Sequence, residues 1–172
     1  MTERIVVSHR DDLIRIIEES PGDADLNHLD VTLIEDMSHL FCEGTRYQFN
    51  GNISEWNTSN VRNMNGMFRG SEFNGDISKW NVSNVRVMMN AFRQSKFNGD
   101  ISEWDVSNVL FARNIFRDSD FTGDVTQWDF SSIDHGIQQT LSGSKIPQED
   151  VLTLYLKYNT KALDRRIYPD YT

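Results

Sequence analysis

A 24-residue step governs this chain. The run Phe49-Asn50-Gly51-Asn52-Ile53-Ser54-Glu55-Trp56-Asn57-Thr58-Ser59-Asn60-Val61 returns at residues 73–85 and 97–109, and more loosely at 121–133. Trp56, Trp80, Trp104 and Trp128 therefore share one column, and Ile53, Ile77, Ile101 and Val125 another. Self-similarity with a period between about 20 and 50 residues is the signature of a solenoid, in which no single unit can bury its own apolar face and stacking supplies the core.

Each copy divides in two. Gly-Asp-Ile-Ser-x-Trp alternates over a few residues, so a short strand is expected at Asp-Ile-Ser, bending at or before Trp. In the second half, Val85, Met88, Met89 and Phe92 stand at i, i+3, i+4 and i+7, a helical stripe opened by Ser83 or Asn84 as cap. Gly51, Gly75, Gly99 and Gly123 are expected to hold a left-handed or tight turn. Asn50, Asn74 and Asn98, with Thr122 in the last copy, are expected to bond turn backbone.

A fifth, degenerate copy precedes these. Residues 25–34 align with 52–61, with Leu29 where tryptophan stands later, and Ile34, Met37, Leu40 and Phe41 align with Val61, Met64, Met67 and Phe68. It carries a three-residue insertion around Gly44-Thr45-Arg46-Tyr47. Upstream, Ile5-Val6-Val7 suits a strand, and apolar spacing predicts a helix over 10–19 opened by a Ser8/Asp11 capping box. Downstream, Pro147 near a first turn and the run Val151, Leu152, Leu154, Tyr155, Leu156, Tyr158 predict a closing helix over the last repeat. A tail from Lys157, basic at Arg165-Arg166, either lies along the repeats or frays.

The expected architecture is an α/β repeat: a small right-handed leucine-rich-repeat-like solenoid of short parallel strands and short helices. Its cap is 1–21, its five repeats are 22–48, 49–72, 73–96, 97–120 and 121–145, and its closing helix and tail are 146–172.

Composition narrows the function classes. Seventeen basic against 26 acidic residues leave a net charge of −9, which disfavours a phosphate-binding surface, so nucleic acid is not expected as partner. One cysteine, Cys42, permits no intrachain disulfide and suits a reducing compartment. The apolar run near the N-terminus is too short for a signal peptide and no segment is long enough to span a membrane, so the chain reads as cytoplasmic, or as cell-surface if a leader was removed.

The phrase Phe97-Asn98-Gly99-Asp100-Ile101-Ser102-Glu103-Trp104-Asp105-Val106-Ser107-Asn108-Val109, with Met and Phe in the second half, resembles the repeat of the BspA-like leucine-rich-repeat family, the DUF285 type. The resemblance covers roughly residues 22–145. It implies a leucine-rich-repeat solenoid that binds other proteins, often on bacterial or protist surfaces, with no catalytic residues to transfer.

Chemistry is sparse. No phosphate loop, nucleophile elbow or Cys/His pair is legible, and His9, His28, His39 and His135 show no metal-ligand spacing. His28 and His39 share one repeat; zinc there competes with ordinary exposed or core histidines. The Asp76, Asp100, Asp124 column, with Asn52 in the same place one repeat earlier, either caps turns, meets the Arg69, Arg93, Arg117 column, or binds calcium; turn-capping or arginine-pairing is favoured, since calcium wants six or more oxygens from a dedicated loop.

Two surfaces are candidates for a partner. Arg62-Asn63 and Arg86-Val87 are answered by Leu110-Phe111, so Val87, Leu110 and Phe111 form an outward apolar patch unless local rotation or the tail buries them. The strand face carrying Ser54, Ser78, Ser102 and Thr126 beside Glu55, Lys79, Glu103 and Gln127 is the other.

The expectation is thus a non-enzymatic protein-binding module without cofactor or metal. Its net charge favours a partner with a basic surface, as for an acidic inhibitor or immunity-type protein. The alternative is a fragment of a BspA-like surface adhesin. A homodimer through Leu110 and Phe111 also fits.

Overall fold

The computed structural model describes residues 4–42, 46–134 and 136–167, with side chains through residue 158. Strand β1 (Ile5–Val6) pairs in parallel with β2 (Leu29–Asp30), Ile5 opposite Leu29 and Val6 opposite Asp30. Between them lies α1 (Arg10–Glu19), which buries Leu13 and Ile17. The expected capping box does not form: His9 is the N-cap residue and makes no side-chain cap bond.

From residue 25 onward the repeats are laid one on the next by backbone hydrogen bonds. Parallel bridges join Asp36 to Asn63, Asn63 to Val87, and Val87 to Phe111. Further along each repeat, the Phe41 N–H donates to Met67 O, Phe68 to Ala91 O, and Phe92 to Ile115 O, at 2.8 to 2.9 Å. Alternate N–H groups of each second half thus reach the neighbouring repeat, while those between them close tight turns within their own, Met67 onto Met64 O and Arg69 onto Gly66 O, instead of forming a helix.

This corrects the local assignment of both halves. Asp-Ile-Ser is a turn, because the Asp76 carboxylate accepts bonds from the Ser78 N–H at 2.9 Å and the Ser78 hydroxyl at 2.7 Å, and the Trp80 N–H then closes onto Ile77 O at 3.1 Å. A second such turn follows at once: Asn81 Oδ1 accepts from the Ser83 N–H and hydroxyl, and Val85 N–H reaches Val82 O. An Asx side chain bonding its own backbone two residues on competes successfully with a strand.

The second half is no helix either. Its buried residues are Val85, Met88, Ala91 and Phe92, at i, i+3, i+6 and i+7, while Met89 is only half-buried. Two left-handed corners per repeat bend the chain there. One is the column His39, Gly66, Asn90, Asn114 (φ 55–59°), and the other is Gly70, Gln94, Asp118, Gly143 (φ 56–68°). Glycine and asparagine tolerate this region best.

The repeated glycines serve another purpose. None of Gly51, Gly75, Gly99 and Gly123 has positive φ. A Cβ on Gly75 would stand 2.9 Å from two ring carbons of Phe73, so the phenylalanine two residues earlier folds its ring over the bare backbone.

The core is aromatic and columnar. Trp56 stacks on Trp80 at 6.2 Å and 4°, and Trp104 on Trp128 at 6.3 Å and 7°. Phe41, Phe68, Phe92 and Phe116 follow one another at 5.1, 5.4 and 5.5 Å. Each indole N–H also donates to the repeat before it: Trp56 to Leu26 O, Trp80 to Ile53 O, Trp104 to Ile77 O and Trp128 to Ile101 O, at 2.9 to 3.2 Å. A buried tryptophan needs a partner for its N–H, and here that partner ties two repeats together. A further buried column, Thr58, Val82, Val106 and Phe130, went unread in the sequence.

Two asparagine ladders run along the outside. Asn50 Oδ1 accepts the Asn74 N–H, Asn74 Oδ1 the Asn98 N–H, and Asn98 Oδ1 the Thr122 N–H, at 2.8 to 2.9 Å. These residues bond the next repeat, not their own turn. Asn60, Asn84 and Asn108 donate instead to Thr32 O, Ser59 O and Ser83 O of the repeat before.

The ends are closed differently. In the insertion, residues 43–45, Gly44 and Thr45 among them, lie outside the described residues, and Arg46–Gln48 forms a 3₁₀ turn whose Arg46 is buried near Glu18. The last repeat departs from its predecessors by forming α2 (Ile137–Leu141), whose Gln139 and Thr140 carbonyls still accept bonds from Asn114 and Ile115. Helix α3 (Gln148–Ile167) starts just after Pro147, buries Leu154, and bonds Trp128 O through the Tyr158 hydroxyl at 3.1 Å. It continues past Lys157 as helix through Ile167; the remaining tail lies outside the described residues.

Candidate functional site

Nine of the ten phenylalanines are 2% exposed or less: Phe41, Phe49, Phe68, Phe73, Phe92, Phe97, Phe116, Phe121 and Phe130. The tenth, Phe111, is 41% exposed. It sits in the column of parallel bridges beside Val87, which is half-buried, as is Leu110. Local geometry explains the exposure. The N–H groups of Leu110 and Phe111 both point to Arg86 O, at 2.9 and 3.1 Å, and Val109 and Ala112 on either side face the core, which leaves Phe111 outward. Local rotation does not remove Phe111 from solvent; the other expected cover, the tail, has no described side chains beyond residue 158.

The second candidate surface is a rim of turns. Glu55 and Lys79 approach to 3.8 Å on adjacent repeats with both side chains largely solvated, and Glu103 and Gln127 are exposed. An exposed pair of this kind contributes little, on the order of 0–1 kcal/mol. The apolar and turn surfaces belong to different halves of the repeat, so the sequence-derived residues fall into two groups rather than one site.

The aspartate column is explained by its turns. Asp76, Asp100 and Asp124 each accept the N–H and hydroxyl of the Ser or Thr two residues on. Those bonds hold all three carboxyls below the usual carboxylate range, and the repulsion of Asp76 on Asp100, and of Asp100 on Asp124, opposes this only in part. Of the arginine column, Arg117 pairs with Asp118 at 3.5 Å, and no pair with the aspartate column forms among the described residues. Among the described residues no three His, Cys, Asp or Glu side chains converge. His135 lies outside them.

One contact was illegible in the sequence. Cys42 Sγ lies 3.4 Å from His39 Nδ1, and the Asn65 amide lies 3.4 Å from His39 Nε2. His39 occupies the left-handed corner held by Gly66 in the next repeat, and a Cβ on Gly66 would stand 2.7 Å from the imidazole. The ring thus covers the next corner, and Cys42 follows from its place just after Phe41. The spacing i, i+3 was visible; the positive φ that swings His39 toward the thiol was not.

Stacked 24-residue units with ladders of side-chain and backbone bonds define a tandem-repeat protein. The chain belongs to the family described as Mycoplasma protein of unknown function, DUF285, whose model matches residues 16–95 and, overlapping them, residues 36–153. Overlapping matches are what a tandem repeat produces. No curated protein and no solved structure matches the chain. No helix among the described residues is long and apolar enough to cross a membrane.

Proposed function

We propose that this chain is a small capped solenoid of the leucine-rich-repeat-like kind, acting as a non-enzymatic module that binds a partner protein through the face carrying Val87, Leu110 and Phe111. The observation that carries the reading is Phe111, the outlier in a set of phenylalanines otherwise withdrawn from water. Aromatic side chains in the centre of an interface are frequent binding hot spots, and an extended array of repeats offers a long rigid surface on which to mount one. The bridging column that holds Phe111 also fixes its neighbours, so little ordering entropy is lost on binding.

The test is Phe111→Glu. Because Phe111 is exposed, the variant should melt within about 2 °C of the parent while losing the principal protein that the parent captures from its native host. Retained capture by Phe111→Glu, together with loss on Lys79→Glu or Glu103→Lys, would move the interface to the turn rim and overturn this reading.

A further inference from the structure

Net charge misdescribes the face that carries Phe111. In the three middle repeats, Arg62, Arg69, Arg86, Arg93, Arg113 and Arg117 all fall in the second halves, whereas the aspartate column belongs to the first. Arg62 pairs with Glu35 at 3.4 Å and Arg117 with Asp118 at 3.5 Å. Arg69, Arg86, Arg93 and Arg113 have no ion-pair partner among the described residues, in a chain with 26 carboxylate side chains.

Register makes the segregation local. The N–H of Gly70 bonds Arg93 O, and that of Gln94 bonds Arg117 O, so Arg69, Arg93 and Arg117 stand in successive rows. Like charges at strand spacing, about 4.8 Å, repel and favour an anion that bridges them. The Nε of Arg93 is buried with no hydrogen-bond partner, a donor left unused. Closer to the patch, Arg86 immediately precedes Val87 and its carbonyl anchors Phe111, while Arg113 follows Phe111 by two positions. The apolar patch is therefore bordered by Arg86 and Arg113. Carboxylates flank the strip as well: Glu35 pairs with Arg62, Asp36 begins the bridge column two steps before Val87, and Asp134, whose N–H bonds Leu110 O, follows Leu110 as Arg86 precedes it.

Building on the interface proposed above, we infer that this strip receives an acidic segment of the partner protein, with an apolar side chain of that segment resting on Phe111 and Val87 and its carboxylates meeting Arg86 and Arg113. Guanidinium groups suit this role because they bind carboxylates bidentately and stay charged when partly desolvated. A short acidic segment is favoured over nucleic acid for two reasons. The aspartate-lined half of each repeat and the net charge of −9 repel a long polyanion, and a phosphate backbone makes no use of an exposed phenylalanine between the arginines. The partner chemistry is thus opposite to that suggested by net charge.

Fluorescence anisotropy decides it, with labelled poly(Glu,Tyr), poly(Glu), poly(Lys,Tyr) and duplex DNA titrated against the whole chain at low and high salt. Poly(Glu,Tyr) should bind more tightly than poly(Glu), and salt should weaken it strongly. Arg86→Glu and Arg113→Glu should each weaken it about tenfold or more, and Phe111→Ser should abolish the advantage of tyrosine. All three side chains project into solvent, and unchanged melting curves verify that the variants fold. Tighter binding of poly(Lys,Tyr), salt-insensitive binding, or no measurable binding of poly(Glu,Tyr) overturns the acidic segment. Tighter binding of duplex DNA with the same arginine dependence makes the strip a nucleic-acid surface and overturns it as well. Self-association abolished by the arginine variants, seen by sedimentation, would put a second copy in place of the acidic segment. Each of these failures leaves the patch itself to the Phe111→Glu capture experiment.

Discussion

Replacing Trp104 by phenylalanine tests how the repeats hold together. Trp104 is buried between Trp128, at 6.3 Å, and Phe92, at 6.0 Å, and its N–H donates to Ile77 O at 3.2 Å. The substitution removes about 40 Å² of apolar surface, ~1 kcal/mol at 25 cal/mol/Å². It opens a void of roughly one or two methylene groups that the columns on either side resist closing, which adds about 1 kcal/mol. It also leaves a buried carbonyl without its donor, costing about 1–2 kcal/mol. The expected loss is therefore about 3–4 kcal/mol, a large share of the roughly 5–15 kcal/mol typical of folded domains. Urea denaturation followed by tryptophan fluorescence and circular dichroism measures it, with an unchanged m-value confirming that the same structure unfolds. Benzothienylalanine at position 104 keeps the ring shape and lacks the N–H, so it should recover most of the volume cost and lose only the hydrogen-bond share. A loss below about 1 kcal/mol for Trp104→Phe, or an isostere as damaging as phenylalanine, would refute the division between packing and the inter-repeat bond.

Gly75→Ala should cost about 1–3 kcal/mol in the same assay, since its Cβ has nowhere to go beside the Phe73 ring; Gly70→Ala, at φ +67° with open space around it, should cost only about 1 kcal/mol of backbone strain. Asn74→Ala should accelerate hydrogen exchange at the Asn98 amide, which loses its acceptor, and spare the Asn74 amide, which still donates to Asn50; equal acceleration at both would argue against a rung-by-rung ladder. The lowered carboxyls of Asp76 and Asp124 favour the folded state above the unfolded aspartate range near pH ~4 and lose that contribution as pH falls through their folded values. Acid unfolding should therefore steepen below about pH 4, and Asp76→Asn, which keeps an oxygen acceptor as Asn57 and Asn81 do, should flatten it; a variant with the parent's acid profile would sink this account.

Much of the core was readable as columns. Phe73, Ile77, Trp80, Val85, Met88 and Phe92 recur because each has to fill the same place against its counterpart one repeat away, and the stacked rings and buried side chains follow those columns. Local conformation was not readable in the same way. Val85, Met88 and Phe92 satisfy a helical stripe equally well, and only Ala91 in place of Met89 at the third of the four buried positions betrays a chain turned by left-handed corners. The Asx-x-Ser spacing of Asp76 with Ser78 and of Asn81 with Ser83 was the available signal for paired turns, masked by the strand-like Ile and Val between them.

The outward placement of Phe111 was read from a helical phase that the backbone does not follow; the position faces outward because Val109 and Ala112 on either side turn into the core. The arginine border is invisible in the net charge of −9, which averages over both halves of every repeat. The Cys42–His39 contact and the use of glycine as a bed for a phenylalanine ring depend on φ angles and ring directions that a one-dimensional pattern does not contain. The period and the identity of the stacked columns are thus written in the amino acids alone, since repetition poses the same packing problem several times over. Which backbone path serves that packing emerges from the stacking of one repeat on the next, because a main-chain N–H satisfied by a neighbouring repeat has no need of the helix or strand that the local residues would otherwise prefer.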